Sequence, residues 1–278
     1  MISIIICSRE KKIKHELAEN IDKTIGTEYE LIIVDNSLNS YSIFEAYNYG
    51  ISQSNGNYLC FIHDDIFFHT QNWGNVIENI FESDSKIGLV GVAGAKIKTK
   101  MPSAWWDCND ENLQINIIQH FSDKIEEHWQ KGLTENNTTS VAAIDGVFMA
   151  ARKDAEITFS TELKGFHNYD LNFSFEYQKK GYKVVTTKEI LLEHYSLGTL
   201  NKDWYSSTIR LHKLYKEILP INFSNTDMKK NEFKNGSKFI LDLLSHKMKK
   251  EALSLWFQLI WLKPKSKFHF KFLNQFFK

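Results

Sequence analysis

The 278-residue sequence predicts an α/β fold, with a mostly parallel sheet flanked by helices and a helical C-terminal extension. Three observations predict it. Short β-branched or aromatic runs alternate with helical periodicities in the order β-α-β-α-β from Ile2 to Ile62, which argues for parallel strands joined by right-handed crossovers. These strand candidates end on polar residues: Ser8-Arg9, Asp35-Asn36-Ser37 and His63-Asp64-Asp65. Beyond about Ile221 the charges become mostly lysine and the apolar residues mostly aromatic.

Taken in order, Ile2 to Cys7 is a short β-branched run and a central-strand candidate. Ile13, Leu17, Ile21 and Ile25 recur every four residues and mark one face of a helix. Tyr29 to Val34 is a second strand. Ile43, Phe44, Tyr47 and Ile51 are the inner residues of a second helix, and Gly56-Asn57 turns the chain into a third strand from Tyr58. Trp73, Val76, Ile77, Ile80 and Phe81 mark a helix, and Ile87 to Val92 a strand closed by Gly94. The pattern loosens from Lys96 to Asn112, where Trp105 and Trp106 stand together as either core plugs or a stacking surface for a sugar or base. Glu126 to Ser140 is polar and expected at the surface. Val141 to Ala150 reads as one buried strand with Asp145 inside it. A short helix opens at Phe166 to Asp170, runs through Tyr177 and ends at Gly181. Tyr182 to Thr186 and Ile190 to His194 are further strands, and Trp204, Thr208, Leu211, Tyr215 and Ile218 recur at helical spacing. The expected division is a domain over 1–219 and a basic, aromatic-rich helical extension over 220–278. In the extension Leu253, Trp256, Phe257, Ile260 and Trp261 line a helix that either lies in a membrane interface or packs onto the core.

Composition narrows the function classes. The formal net charge is zero, and no basic, aromatic stripe runs through the main domain, so a nucleic-acid partner is not expected. Three cysteines (Cys7, Cys60 and Cys108) lack metal spacing and suit a reducing compartment. The N-terminal apolar run is too short for a signal peptide and no stretch reaches membrane-spanning length. The expected location is therefore cytoplasmic, with peripheral contact to the inner face of the membrane if the extension lies in that interface.

The chemistry centres on Tyr58 to Phe68, where an apolar run climbs to Asp64-Asp65 and turns apolar again. Adjacent carboxylates at a strand end are costly to bury without a cation or donors around them. Ligands of open α/β sheets bind at that end. His63-Asp64-Asp65 therefore reads as a metal and phosphate site; a strand-end turn with solvated acids is the other reading.

Four segments in order carry a family likeness: Ile32-Ile33-Val34-Asp35-Asn36-Ser37; Asn48-Tyr49-Gly50-Ile51 with Gly56-Asn57-Tyr58; Phe61-Ile62-His63-Asp64-Asp65-Ile66; and Phe166 to Ser174 with Gly181-Tyr182 and His194-Tyr195-Ser196. Over about residues 1–215 the chain resembles the family 2 glycosyltransferases of GT-A, Rossmann-like fold, in the bacterial branch with a histidine-acid-acid motif in place of aspartate-x-aspartate. The resemblance implies roles position by position. Asp35 matches the acid that holds the nucleotide base, with Ser8, Arg9, Asn36 and Asn48 on the donor side. Asp65 matches the last acid of the metal motif, and Asp64 faces the ribose or the metal. Asp170 matches the catalytic base, and His194 a position that completes the metal or pyrophosphate site. The chain departs from the pattern at His63, where many members have an aspartate, at Tyr47, where many have an arginine, and at Asn172, a frequent acid.

The implied reaction moves a sugar from a nucleotide-sugar donor, with UDP as the commonest base, to a hydroxyl of a glycan or lipid-linked glycan. A divalent cation, Mn²⁺ or Mg²⁺, would neutralise the pyrophosphate leaving group, with Asp65, His194 and His63 as candidate ligands. One carboxylate base, Asp170, implies inversion at the anomeric carbon. Asp145 is the runner-up base, or the anchor of a turn before Gly146. Trp105, Trp106, Asp145 and Trp204 are expected on the acceptor side. Two rivals remain: a catalytically inactive sugar-nucleotide-binding or scaffolding protein, and a nucleotidyltransferase, although the latter would want a glycine-rich loop where Ser8-Arg9-Glu10-Lys11-Lys12 stands.

Overall fold

The computed structural model describes residues 1–121, 125–132 and 136–278. Its first half winds as the periodicities predict. Strand β1 (Ile2–Ser8), helix α1 (His15–Thr24), β2 (Tyr29–Asp35), α2 (Ile43–Gln53) and β3 (Tyr58–Ile62) follow in succession. Leu17 and Ile21 turn the inner face of α1 to the sheet, and Phe44 and Tyr47 do so for α2. Helix α2 starts where it does because Ser42 and Glu45 form a reciprocal cap, each side chain accepting from the other's backbone N–H.

The chain continues through β4 (Ile66–Phe68), α3 (Trp73–Ser83), β5 (Ile87–Gly91), β6 (Ala93–Ala95), β7 (Ile97–Lys98), β8 (Leu113–His120), β9 (Glu126–Lys131), β10 (Thr138–Ser140), β11 (Ala143–Ile144) and β12 (Phe148–Arg152). Helix α4 (Tyr169–Lys179), β13 (Lys183–Thr187), β14 (Leu192–His194) and α5 (Lys202–Leu214) close the main domain. Then come β15 (Ile221–Asn222), α6 (Met228–Ser245), α7 (Lys249–Leu262) and α8 (Phe268–Phe276).

The main sheet has the order β10-β13-β5-β12-β3-β1-β2. β2, β1 and β3 are parallel, as are β5 and β13, while β12 runs antiparallel between β3 and β5. A second sheet has the order β11-β6-β8-β14-β4, with β9 on β8. The chain leaves the main sheet at Ile62 and enters the second at Ile66, so His63-Asp64-Asp65 is the crossing between the two sheets.

One expectation is corrected, and two further stretches gain strands. Val141 to Ala150 is not one strand: β11 belongs to the second sheet and β12 to the first, and the chain turns between them at Asp145-Gly146-Val147. The Asp145 carboxylate makes that turn by accepting from the Val147 N–H at 2.8 Å. Residues 113–120 form the unanticipated centre of the second sheet; Leu113, Ile115 and Ile117 alternate with polar residues, which is the strand period. The polar stretch 126–140 contributes edge strands β9 and β10, with 133–135 outside the described residues.

The C-terminal helices pack, as one of the two readings held. Phe239, Ile240, Leu243, Ala252, Leu255 and Leu259 form an apolar cluster that takes in Met101, Ala104, Trp204 and Tyr205 from the main domain. The Glu232 carboxylate accepts from the backbone N–H groups of Lys100 and Met101 at 2.5 and 2.7 Å, and β15 pairs with β7. Lys98, at the root of this junction, is buried. Its Nζ donates to the Ser103 carbonyl, to Ser103 Oγ and to His212 Nε2, so all three ammonium protons are used. Burial still pushes the Lys98 ammonium down to about 7. No helix among the described residues is long and apolar enough to cross a membrane.

Candidate active site

Strand register assembles the centre of the site. In β14, His194 lies opposite Ile66 of β4 and Gln119 of β8. The Tyr195 N–H donates to the Asp65 carbonyl at 3.1 Å, which holds the end of β14 against the sheet crossing. Three ligand atoms from distant parts of the chain thereby converge. His63 Nδ1 is 3.3 Å from His194 Nε2 and 3.8 Å from Asp65 Oδ1, and His194 Nε2 is 3.5 Å from Asp65 Oδ1.

The surrounding donors fix which atoms face inward. Gln119 Nε2 donates to the carbonyls of His120, His194 and Ser196, so its Oε1 is turned to His194 Nδ1, 3.0 Å away. An amide oxygen only accepts, so His194 Nδ1 carries a proton and Nε2 faces Asp65 and His63. On the other side, His63 Nε2 is 2.6 Å from the Tyr169 hydroxyl, which leaves Nδ1 inward. A proton or a metal ion shared between them would satisfy all three inward atoms.

These residues fit a divalent metal ion. Ligands at about 2.0–2.2 Å around one ion lie about as far apart as these atoms do, and two imidazoles plus a carboxylate leave positions open for phosphate and water. Burial, reinforced by His194, lowers the His63 pKa, so its imidazole is neutral near pH 7 and keeps a lone pair. Burial opposes charge on Asp65 too, but a proton shared with His194 Nε2, together with the Ser196 hydrogen bond, outweighs it and holds the carboxyl well below the usual carboxylate range in the metal-free chain.

The two adjacent acids part company. Asp64 turns to the end of β1, where its Oδ2 accepts from Ser8 Oγ at 3.2 Å and its Oδ1 lies 3.9 Å from Arg9 Nη2. Asp35 stands opposite Ser8 at the end of β2, exposed, its Oδ1 accepting from the Ser37 N–H at 2.9 Å. Ser8, Arg9, Asp35 and Asp64 thus share one strand-end rim. Two other expected donor-side residues are occupied locally. Asn36 spends its amide on both backbone groups of Tyr41. Asn48 spends its amide on both backbone groups of Phe159. Each shapes the wall of the rim through its loop. Tyr47 is a core residue against Phe61, Phe159 and Tyr169.

Asp170 sits in the first turn of α4, directly after Tyr169, and is partly exposed. Burial of its carboxyl, with the Asp145 charge next, raises its pKa to about 7, against the pull of Lys98. A group poised there is half in its basic form near neutral pH. Asp145 Oδ2 accepts from Trp105 Nε1 at 2.9 Å, and its other oxygen holds the turn. Trp105 is therefore a buried prop for Asp145, while Trp106 is exposed. Trp204, also buried, packs on Phe239 and lines a shallow cleft with Trp106, Asp107 and Lys238.

Residues 3–218 match the glycosyltransferase-like family. The chain belongs to that family. The structural likeness is distant and concerns the fold, which is GT-A. The crystal structure of GalNAc-T7 with UDP, GalNAc and Mn²⁺ is similar with a TM-score of 0.52 at 13% identity, over 87% of this chain and 54% of that one. The chain thus spans about half the length of that relative. TarS of S. aureus (residues 1–349, in complex with UDP) is similar with a TM-score of 0.50 at 15% identity, over 88% of this chain and 72% of that one. No curated protein matches the sequence.

Within this glycosyltransferase-like chain, Gln119 escaped sequence reasoning, and Tyr169 and Ser196 stood in the matched segments without a part beside the ligand atoms. Gln119 was findable, because the alternation in 113–120 marks a strand. Tyr169 makes contact only because Gly146 lets it approach; a Cβ there would lie 2.3 Å from the tyrosine hydroxyl. Gln119→Leu frees His194 to rotate, and Gly146→Ala displaces Tyr169 from His63. Each is expected to weaken Mn²⁺ binding about tenfold to a hundredfold in calorimetric titration while the fold survives by circular dichroism. Unchanged affinity in both would mean that neither supports a metal ligand.

Proposed function

We propose that the chain is an inverting, metal-assisted glycosyltransferase that moves a sugar from a nucleotide-sugar donor, a UDP-sugar, to a hydroxyl of a glycan or lipid-linked glycan. The observation that carries this reading is the convergence of Asp65, His63 and His194 at the sheet crossing, with Asp170 next in the chain to Tyr169, whose hydroxyl lies 2.6 Å from His63 Nε2. Residues 1–219 are the catalytic unit in this proposal, and 220–278 an extension packed on it.

Asp65, His63 and His194 would hold the cation, and two nitrogen ligands favour Mn²⁺ over Mg²⁺. When bound, it would offset the negative charge that grows on the diphosphate leaving group. The chain's own residues do the rest. Asp35 and the Ser8-Arg9 segment bind the nucleoside, Arg9 adding positive charge beside Asp64. Asp170 accepts the acceptor's hydroxyl proton as that oxygen attacks the anomeric carbon and the bond to the diphosphate breaks. Attack from the face opposite the leaving group inverts the anomeric centre. Asp145 is held by Val147 and Trp105, so it orients and charges the pocket, and the Trp106–Trp204 cleft is where the acceptor sugar would stack.

The test is a screen of UDP- and GDP-sugars for nucleotide release with Mn²⁺ or Mg²⁺, with and without glycan acceptors, followed by NMR of the product linkage. Metal-dependent transfer from a UDP-sugar with inversion is the expected result. Release from no donor, or retention at the anomeric carbon, would contradict the proposal.

A further inference from the structure

The helices beyond residue 245 are apolar on two sides. On α8, Phe268, Phe272 and Phe276 follow one another at four-residue spacing; Phe272 is buried and stacks on Trp256 of α7, with ring centroids 4.6 Å apart. The opposite face repeats the pattern outward. Phe270, Leu273 and Phe277, at three- and four-residue spacing, face solvent, with Phe270 74% and Phe277 80% exposed. On α7, Phe257 and Trp261, one turn apart, are exposed as well, Trp261 to 87%. A helix that served only to pack inward would carry polar residues on these faces.

The charge around them is one-sided. From Lys247 to Lys278 there are eight lysines and a single acid, Glu251, in a chain whose formal net charge is zero. Lys263, Lys265, Lys267, Lys271 and Lys278 are all exposed and interleave with the aromatic residues. Exposed aromatic residues among lysines match the boundary between anionic headgroups and acyl chains, where the rings sit at headgroup depth and the ammonium groups meet phosphate. A second copy of the same face would bring like charges together, which disfavours self-association as the occupant.

We propose that α7 and α8 form a docking surface for an anionic lipid bilayer, bound peripherally through Phe257, Trp261, Phe270, Leu273 and Phe277 and the lysines between them. Bound this way, the chain would meet acceptors carried on a lipid; that consequence rests on the transferase reading, whereas the surface itself does not.

Co-sedimentation of the full chain with vesicles tests it. Binding to vesicles with 30 mol% phosphatidylglycerol is expected to exceed binding to pure phosphatidylcholine by about tenfold or more, and to fall steeply in high salt. The Trp261→Ser/Phe270→Ser/Phe277→Ser variant should lose it. Lys265→Glu/Lys267→Glu/Lys271→Glu should weaken it by about a hundredfold. Sedimentation velocity should show a monomer for wild type and both variants. Asp65→Ala should bind vesicles as wild type does, which separates this result from any failure of the transferase reading. No vesicle binding, equal binding to neutral vesicles, binding that survives both triple variants, or a dimer that these variants dissociate would overturn the proposal.

Discussion

Asp170→Asn is expected to lower kcat by about a hundredfold to ten-thousandfold, the usual contribution of a positioned general base, with little change in donor KM. Its pH behaviour is the sharper signature. The carboxyl titrates near 3.8 when free and at about 7 in the folded chain, raised first by burial and then by Asp145. The reactive form is the carboxylate, so wild-type kcat should climb as pH rises to about 7 and then level off, and the residual rate of the Asn variant should lack that limb. Stability should move the other way. Between pH 3.8 and about 7 the folded chain binds more protons at this position than the unfolded chain, so stability falls as pH rises through that window. Asn removes the penalty. In metal-free protein, Asp170→Asn should melt a few degrees higher than wild type at pH 8, and at the same temperature at pH 3.5. A variant that loses activity, melts lower at pH 8 and keeps the acid limb would show Asp170 to be a structural cap of α4.

The second large effect is expected at Asp65. Asp65→Ala removes the carboxylate among the three converging ligand atoms and leaves His63 and His194 facing each other. Turnover should fall by about a thousandfold or more, since charge stabilisation at a leaving group is worth several kcal/mol. His63→Ala should fall less, because His194 and Asp65 remain 3.5 Å apart, tied by the hydrogen bond from the Tyr195 N–H to the Asp65 carbonyl. Raising the Mn²⁺ concentration should recover part of the activity of His63→Ala and none of Asp65→Ala, read from initial rates across a metal titration. Equal recovery in both would assign the carboxylate no special part in holding the ion.

Much of this was legible in the residues because strands and helices of the first half have clean periods. Ile2 to Cys7 and Tyr58 to Ile62 are nearly continuous apolar runs, as strands buried on both faces must be. The acids at Asp64 and Asp65 stood out for the same reason, since charge beside such a run demands a partner. The partners themselves were less legible. Gln119 lies on a strand whose period is visible in 113–120, but nothing in that period says that it faces His194, which register with β14 decides. Asp145 looked like an acid inside one long strand, because the residues on both sides of Asp145-Gly146 are apolar; the turn between the two sheets is held by the hydrogen bond from the Val147 N–H to the Asp145 carboxylate, which spacing does not reveal. Trp105 and Trp106 are adjacent and alike in sequence, yet one props Asp145 and the other meets solvent. That difference comes from the way residues 101–104 dock under α6, a contact with residues far along the chain. The family likeness ordered the site in advance; the geometry then divided Asp64, turned to Ser8 and Arg9, from Asp65, turned to the histidines.

Calorimetric titration of UDP, with GDP as control, into wild type and Asp65→Ala with and without Mn²⁺ tests the central claim most directly. UDP binding that requires Mn²⁺ in wild type and disappears in Asp65→Ala is the predicted result, and it would place a nucleotide-sugar site at the crossing between the two sheets. Binding of neither nucleotide under any metal condition would contradict it, favour a scaffolding role, and withdraw the parts assigned to Asp35 and Asp65.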